Sequence, residues 1–192
     1  MPTPETPPEA RAVAESNGVN YYVLQDPNST KIWSRIYENG WGRPEIVGEA
    51  RESTPAAYVV YNQNSTKRAI FSLDSVSMLQ THEFDDEFAD WEVGSKISAA
   101  HPQTSIAAVY DGQMLRVYYQ DPEGNLRESV SGGYMEPWKP AEKPLPDVKV
   151  VPGTGLSATI IGGRVSLFYG NQDFSIHQLL YDNNDWTVVR HT

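Results

Sequence analysis

The sequence predicts an all-β chain folded as a β-propeller of four blades, each a four-stranded antiparallel sheet, with a repeat of about 48 residues. Three observations predict it. Trp41, Trp91, Trp138 and Trp186 follow one another at intervals of 50, 47 and 48 residues. Ahead of each runs a hairpin-like segment: "YYVLQDPNSTKIWS" from Tyr21, "RAIFSLDSVSMLQ" from Arg68, "RVYYQDPEGNLRE" from Arg116 and "SLFYGNQDFSIHQ" from Ser166, with starts 47, 48 and 50 residues apart. Fourteen glycines and fourteen prolines leave little room for long helices. A sandwich would also give many short strands, but it has no need of a period.

Each unit opens with a strand of small residues: "ARAVAES", "PAAYVVY", "SIAAVYD" and "LSATIIG". These are placed innermost, because strands converging on an axis crowd their Cβ atoms. An Arg-bearing strand, a turn such as Asp121-Pro122-Glu123-Gly124, a Glu-bearing strand and a tryptophan strand follow. Four such units fill the 192 positions, which favours a ring closed within one chain. An incomplete ring that pairs with a second chain is the alternative. The expected repeats are 11–48, 49–96, 97–146 and 147–192, preceded by a flexible Pro-rich arm over 1–10. The Pro-rich stretch 136–153 reads as a long connection between blades, since the tryptophan spacing runs through it undisturbed.

A net charge of −10 disfavours nucleic acid and anionic membrane as partners. With no cysteine, neither disulfides nor thiolate metal sites are expected. The N-terminus lacks a basic segment followed by an apolar run, and no apolar stretch approaches the ~20 residues of a membrane helix. The expectation is a soluble protein made in the cytoplasm, with release by an unconventional route as the variant.

Arg116 and Glu128 stand about equally far from the turn at 121–124, which makes them near neighbours across the hairpin. Taken alone, they read as an exposed ion pair worth about 0–1 kcal/mol. Arg68 and Gln80 repeat the twelve-residue spacing, and Gln keeps the acceptor while giving up the charge. The fourth unit carries Ser166 and Gln178 at these positions, the first Tyr21 and Trp33. A monosaccharide offers a rim of hydroxyls, suited to a guanidinium fork with a carboxylate or amide, and a C–H face suited to a flat ring. Tyr181 and Trp186 would supply that ring beside Arg116 and Glu128, and Tyr134 and Trp138 beside Arg68 and Gln80. Guanidinium and acid are expected to stay apart, open to a guest's oxygens.

The stretch Arg-Val-Tyr-Tyr-Gln-Asp-Pro-x-Gly-Asn-x-x-Glu, with a tryptophan about ten residues later, resembles fungal fucose-specific lectins of the Aleuria type. The resemblance implies a β-propeller with fucose pockets between consecutive blades. It makes Arg116 and Glu128 the polar clamp and Tyr181 and Trp186 the aromatic wall. Arg68, Gln80, Tyr134 and Trp138 would form a second, weaker pocket. Familiar members have six blades, whereas this chain has four repeats. The implied function is a lectin for L-fucose or fucosylated glycans, without catalysis, cofactor or metal, with a homo-dimer as one way to multiply sites.

Two other classes stay open. A protein-binding propeller needs no sugar pocket. A glycoside hydrolase needs two carboxylates facing a funnel, but the innermost strands carry Ala, Val, Ile, Ser and Thr, with Glu15 the main exception. The acidic run "THEFDDEFADWE" (81–92) lacks calcium-loop spacing and reads as a solvated loop. The four histidines show no metal-ligand spacing.

Overall fold

The computed structural model describes residues 9–26, 28–148, 150–171 and 175–189. They form four antiparallel four-stranded sheets. Blade 1 comprises β1 (Glu9–Ser16), β2 (Val19–Gln25), β3 (Lys31–Tyr37) and β4 (Glu45–Glu49), and blade 2 β5 (Ala56–Gln63), β6 (Ser65–Leu73), β7 (Met78–Asp85) and β8 (Asp90–Ala99). Blade 3 comprises β9 (Ala107–Tyr110), β10 (Leu115–Gln120), β11 (Leu126–Ser131) and β12 (Lys139–Pro140), and blade 4 β13 (Leu156–Ile161), β14 (Arg164–Gly170), β15 (Ile176–Asp182) and β16 (Asp185–Val189). Most of the arm expected over 1–10 lies outside the described residues, while Glu9 and Ala10 already belong to β1.

The small-residue strands lie innermost. β1 packs on β5, β5 on β9 and β9 on β13. No comparable contact joins β13 to β1 among the described residues, so the expected closure within one chain is corrected to an open arc. The turn per interface is set by the bulk between sheets, and four such wedges fall short of a full circle.

The core sits between blades rather than at one centre. Val23, Ile32, Tyr58 and Ile70 fill the first interface. Phe71, Leu73, Leu115 and Val117 fill the second. Tyr118, Leu126, Leu167 and Trp186 fill the third. In blades 2 and 3 each middle strand therefore serves two interfaces, with alternate residues facing opposite ways.

Three inner loops repeat one latch. The amides of Thr54, Thr104 and Thr154 donate to the carbonyls of Arg51, His101 and Val151. The Thr54 hydroxyl accepts the Leu73 amide at 2.9 Å, and the Thr104 hydroxyl that of Gln120 at 2.7 Å. Neighbouring loops also join along the rim: Gly153 N–H donates to Gln103 O at 2.8 Å, and Ser105 Oγ to Thr154 O at 2.7 Å.

The acidic run is not a solvated loop along its first half. Thr81, His82, Glu83 and Asp85 lie in β7 and are buried. His82 packs against Gly48, where an added Cβ would sit 2.7 Å from its Cε1. Burial pulls its pKa down from 6.5 to about 4. Acid therefore charges the unfolded chain first. Stability from this group is whole above about pH 6.5 and falls as pH drops towards 4, by about 3 kcal/mol. Burial raises the Glu83 and Glu128 pKa values, an effect of opposite sign, so the test is a difference. Unfolding free energies of His82→Gln from urea curves, followed from pH 7 to 4, are expected to fall less than those of the wild type by that amount; parallel profiles would remove His82 as the cause.

Candidate functional site: the cleft between blades 3 and 4

In the β10–β11 ladder, Arg116 opposes Val130 and Glu128 opposes Tyr118. Arg116 and Glu128 are thus diagonal neighbours on the face turned to blade 4. They do not stand apart. Arg116 Nη1 donates to Glu128 Oε1 at 2.8 Å, and Arg116 Nε to Asp111 Oδ2 at 2.5 Å. The expectation of an unjoined pair is corrected: both side chains are buried, and a lone buried charge costs too much to leave unpaired.

Glu128 is the hub. Its Oε1 also accepts the Tyr118 hydroxyl at 3.1 Å, and its Oε2 accepts Trp186 Nε1–H at 3.3 Å from blade 4. Burial raises the Glu128 pKa against these three donors. For Arg116, burial works against the charge, but bonds to Glu128 and Asp111 outweigh it and keep the guanidinium protonated. Burial also acts to raise the Asp111 pKa, yet the amides of Met114 and Gln113 and the Arg116 guanidinium hold it below the usual carboxylate range. The two ion pairs use Nε and Nη1 of Arg116 and leave Nη2 outside them.

Tyr181 supplies the ring, with its centroid 4.6 Å from Arg116 Cζ. The ring of Trp186 packs edge-on against Tyr118 at 6.0 Å and lies 5.1 Å from that of Tyr181. Arg116, Tyr181 and Asn184 line two adjoining cavities. One, of about 370 Å³, adds Met114, Val130, Ala141 and Lys139. The other, of about 410 Å³, adds Asp111, Gln113, Arg164 and Asp182. Both volumes suit a sugar ring. Glu128 and Trp186 stand behind this lining and fix Arg116 and Tyr181 in place.

Arg68 and Gln80 do not form the expected second pair. Arg68 opposes Phe84 and Gln80 opposes Ser72, four residues further along β6. Arg68 faces blade 1 instead: it donates to Glu45 Oε2 at 3.1 Å, and its guanidinium lies 3.5 Å from the Phe84 ring and 5.2 Å from that of Trp91. Gln80 bonds the Glu49 carbonyl at 2.8 Å. Tyr134 and Trp138 meet the other face of blade 2. There Lys67 pairs with Asp85 and sits 4.8 Å from the Tyr134 ring, and Glu83 is diagonal to Lys67 as Glu128 is to Arg116. Met135 N–H donates to Glu83 at 2.5 Å, so the chain's own loop engages this carboxylate. Trp138 packs on Phe71 at 5.4 Å.

Constant spacing across unequal hairpins caused the miss. The diagonal cation-to-acid separation is sixteen residues in blade 2, and a one-residue offset exchanges the faces. The alternation Thr81, Glu83, Asp85 against His82, Phe84 carried the signal. Ser166 and Gln178 do keep the diagonal of blade 3, bonded at 3.0 Å. In blade 1 Ser34 is diagonal to Tyr21, while Trp33 lies on the opposite face.

No protein-family model matches the chain. It is similar to the fucose-specific lectin of Aleuria aurantia, 26% identical over 161 residues, covering 78% of this chain and 50% of that protein. Similarity to the fucose-specific lectin of Aspergillus fumigatus is 25% over 167 residues, covering 79% and 50%. The chain spans half the length of these relatives. Its fold matches the crystal structure of the Aleuria aurantia lectin, described as a six-bladed β-propeller, with TM-score 0.75 and 22% identity over 94% of this chain and 62% of that one. Four blades over that share of a six-bladed ring account for the open arc. The chain is a divergent relative of the fungal fucose-specific lectins.

Proposed function

We propose that the protein is a lectin that binds L-fucose, or glycans carrying it, in the cleft between blades 3 and 4, without catalysis and without a cofactor. The observation that carries this is the Arg116 guanidinium, fixed by Glu128 and Asp111, lining a cavity beside the Tyr181 ring. A fixed fork suits vicinal hydroxyls, and the ring suits a C–H face. Met114, Val130 and Ala141 offer an apolar wall for the methyl group of a deoxy sugar. The names of the relatives support the same ligand.

Binding rather than hydrolysis is favoured because Asp111 and Glu128 are bonded to the Arg116 guanidinium, with Glu128 behind it, while the lining carboxylates Glu142 and Asp182 pair with Lys139 and Arg164. A single site holds few ligand atoms, so affinity for the free sugar should be weak, and a homo-dimer would strengthen binding to branched glycans.

A glycan array followed by calorimetry with L-fucose tests this. Fucosylated glycans are expected to dominate the array, and Tyr181→Ala to weaken L-fucose binding by about tenfold. An array without any fucosylated hit, together with capture of a tight protein partner, would favour the scaffold class instead.

A further inference from the structure

A third cavity lies on the inner rim, away from the cleft between blades 3 and 4. It measures about 380 Å³ and is built from β1 and the three latch loops, by Arg11, Arg51, Ser53, Thr104, Ser105 and Gly153 among others. In a chain of net charge −10, its lining holds two arginines and, among the described residues, no carboxylate.

The arginines are held in different ways. Arg51 donates through Nη1 to Ser77 Oγ at 3.1 Å and through Nη2 to the Pro102 carbonyl at 2.6 Å. Both acceptors are neutral, so its charge is not cancelled by an ion pair among the described residues. Arg11 donates through Nη2 to Ser53 Oγ at 3.4 Å and pairs with Glu9 at 2.9 Å, an exposed acid outside the lining. Arg11 Nε is buried and has no hydrogen-bond partner among the described residues. A buried donor left unpaired costs about 1–3 kcal/mol, and an arriving acceptor removes that cost.

We infer that this rim cavity is a binding site for an oxyanion, a sulfate ester or a carboxylate carried on a glycan, held between Arg11 and Arg51. Guanidinium groups meet such oxygens with paired N–H donors, and the Ser53 and Ser105 hydroxyls stand beside them. The site is independent of the Arg116 cleft, so an acidic glycan can engage it whether or not fucose binds.

Side-chain and amide NMR spectra of the full chain test it, with sodium sulfate and sodium glucuronate as probes and ionic strength held constant with sodium chloride. Saturable shifts are expected at Arg11 Nε and at the amides of Ser53, Ser105 and Gly153. Saturation by sulfate alone assigns the site to sulfate esters, and by glucuronate alone to acidic sugars. Arg51→Gln is expected to weaken binding by about tenfold. Should that variant fail to fold, because Arg51 also braces the Pro102 loop, Arg11→Gln decides. Shifts that rise without saturating, that chloride reproduces, or that persist at full affinity in the folded variants would overturn the proposal.

Discussion

Arg116→Ala is expected to weaken L-fucose binding by at least about 30-fold and to destabilise the fold by about 3–5 kcal/mol. Both effects have one cause. Arg116 holds two carboxylates, Asp111 and Glu128, on the face that blade 4 covers. Its removal leaves Glu128, with 7% of its surface exposed, with the Tyr118 and Trp186 donors but no countercharge among the described residues. Arg116→Lys separates the two effects. It restores a positive charge and part of the stability, but not the planar fork, so affinity should stay low. Calorimetry with L-fucose and urea denaturation read the two quantities. A folded Arg116→Ala protein of wild-type affinity would move the sugar site elsewhere.

Lys67→Ala should cost a similar 3–5 kcal/mol, although Lys67 belongs to no motif. It is buried against Asp85, which like Glu83 two residues earlier on β7 is 1% exposed, and its ammonium lies 4.8 Å from the ring of Tyr134. Without the ammonium, two carboxylates remain buried between blades 2 and 3. Arg127 gives the contrast: it pairs with Asp121 at 2.6 Å, but its side chain is 54% exposed, so Arg127→Ala should change stability by about 0–1 kcal/mol. Replacing the pair together, Lys67→Met with Asp85→Leu, should cost much less than Lys67→Ala alone. Equal losses for Lys67→Ala and Arg127→Ala, read from urea curves, would show the buried pair to be solvated.

The blade plan was legible because it is written in period. A tryptophan step near 48 residues and small-residue strands ahead of each hairpin survive substitution at most other positions. The Arg116 cleft was legible for a local reason. The hairpin 115–131 is short and unbulged, so equal distances from the turn place Arg116 and Glu128 on one face. In blade 2 the longer hairpin broke that rule and sent Arg68 to blade 1, leaving Lys67 and Glu83 to face Tyr134.

By itself, then, the sequence determined the repeat, the all-β class, the innermost strands and the cation, acid and rings of one cleft. Only the tertiary structure decided that the arc stays open, that Arg116 and Glu128 are bonded, and that Arg11 and Arg51 share a rim cavity. The reason lies in range. Periodicity and hairpin register are local and follow from alternation along a strand, whereas closure, ion pairing and cavity lining depend on the angle between sheets. That angle is set by side chains packed from distant parts of the chain.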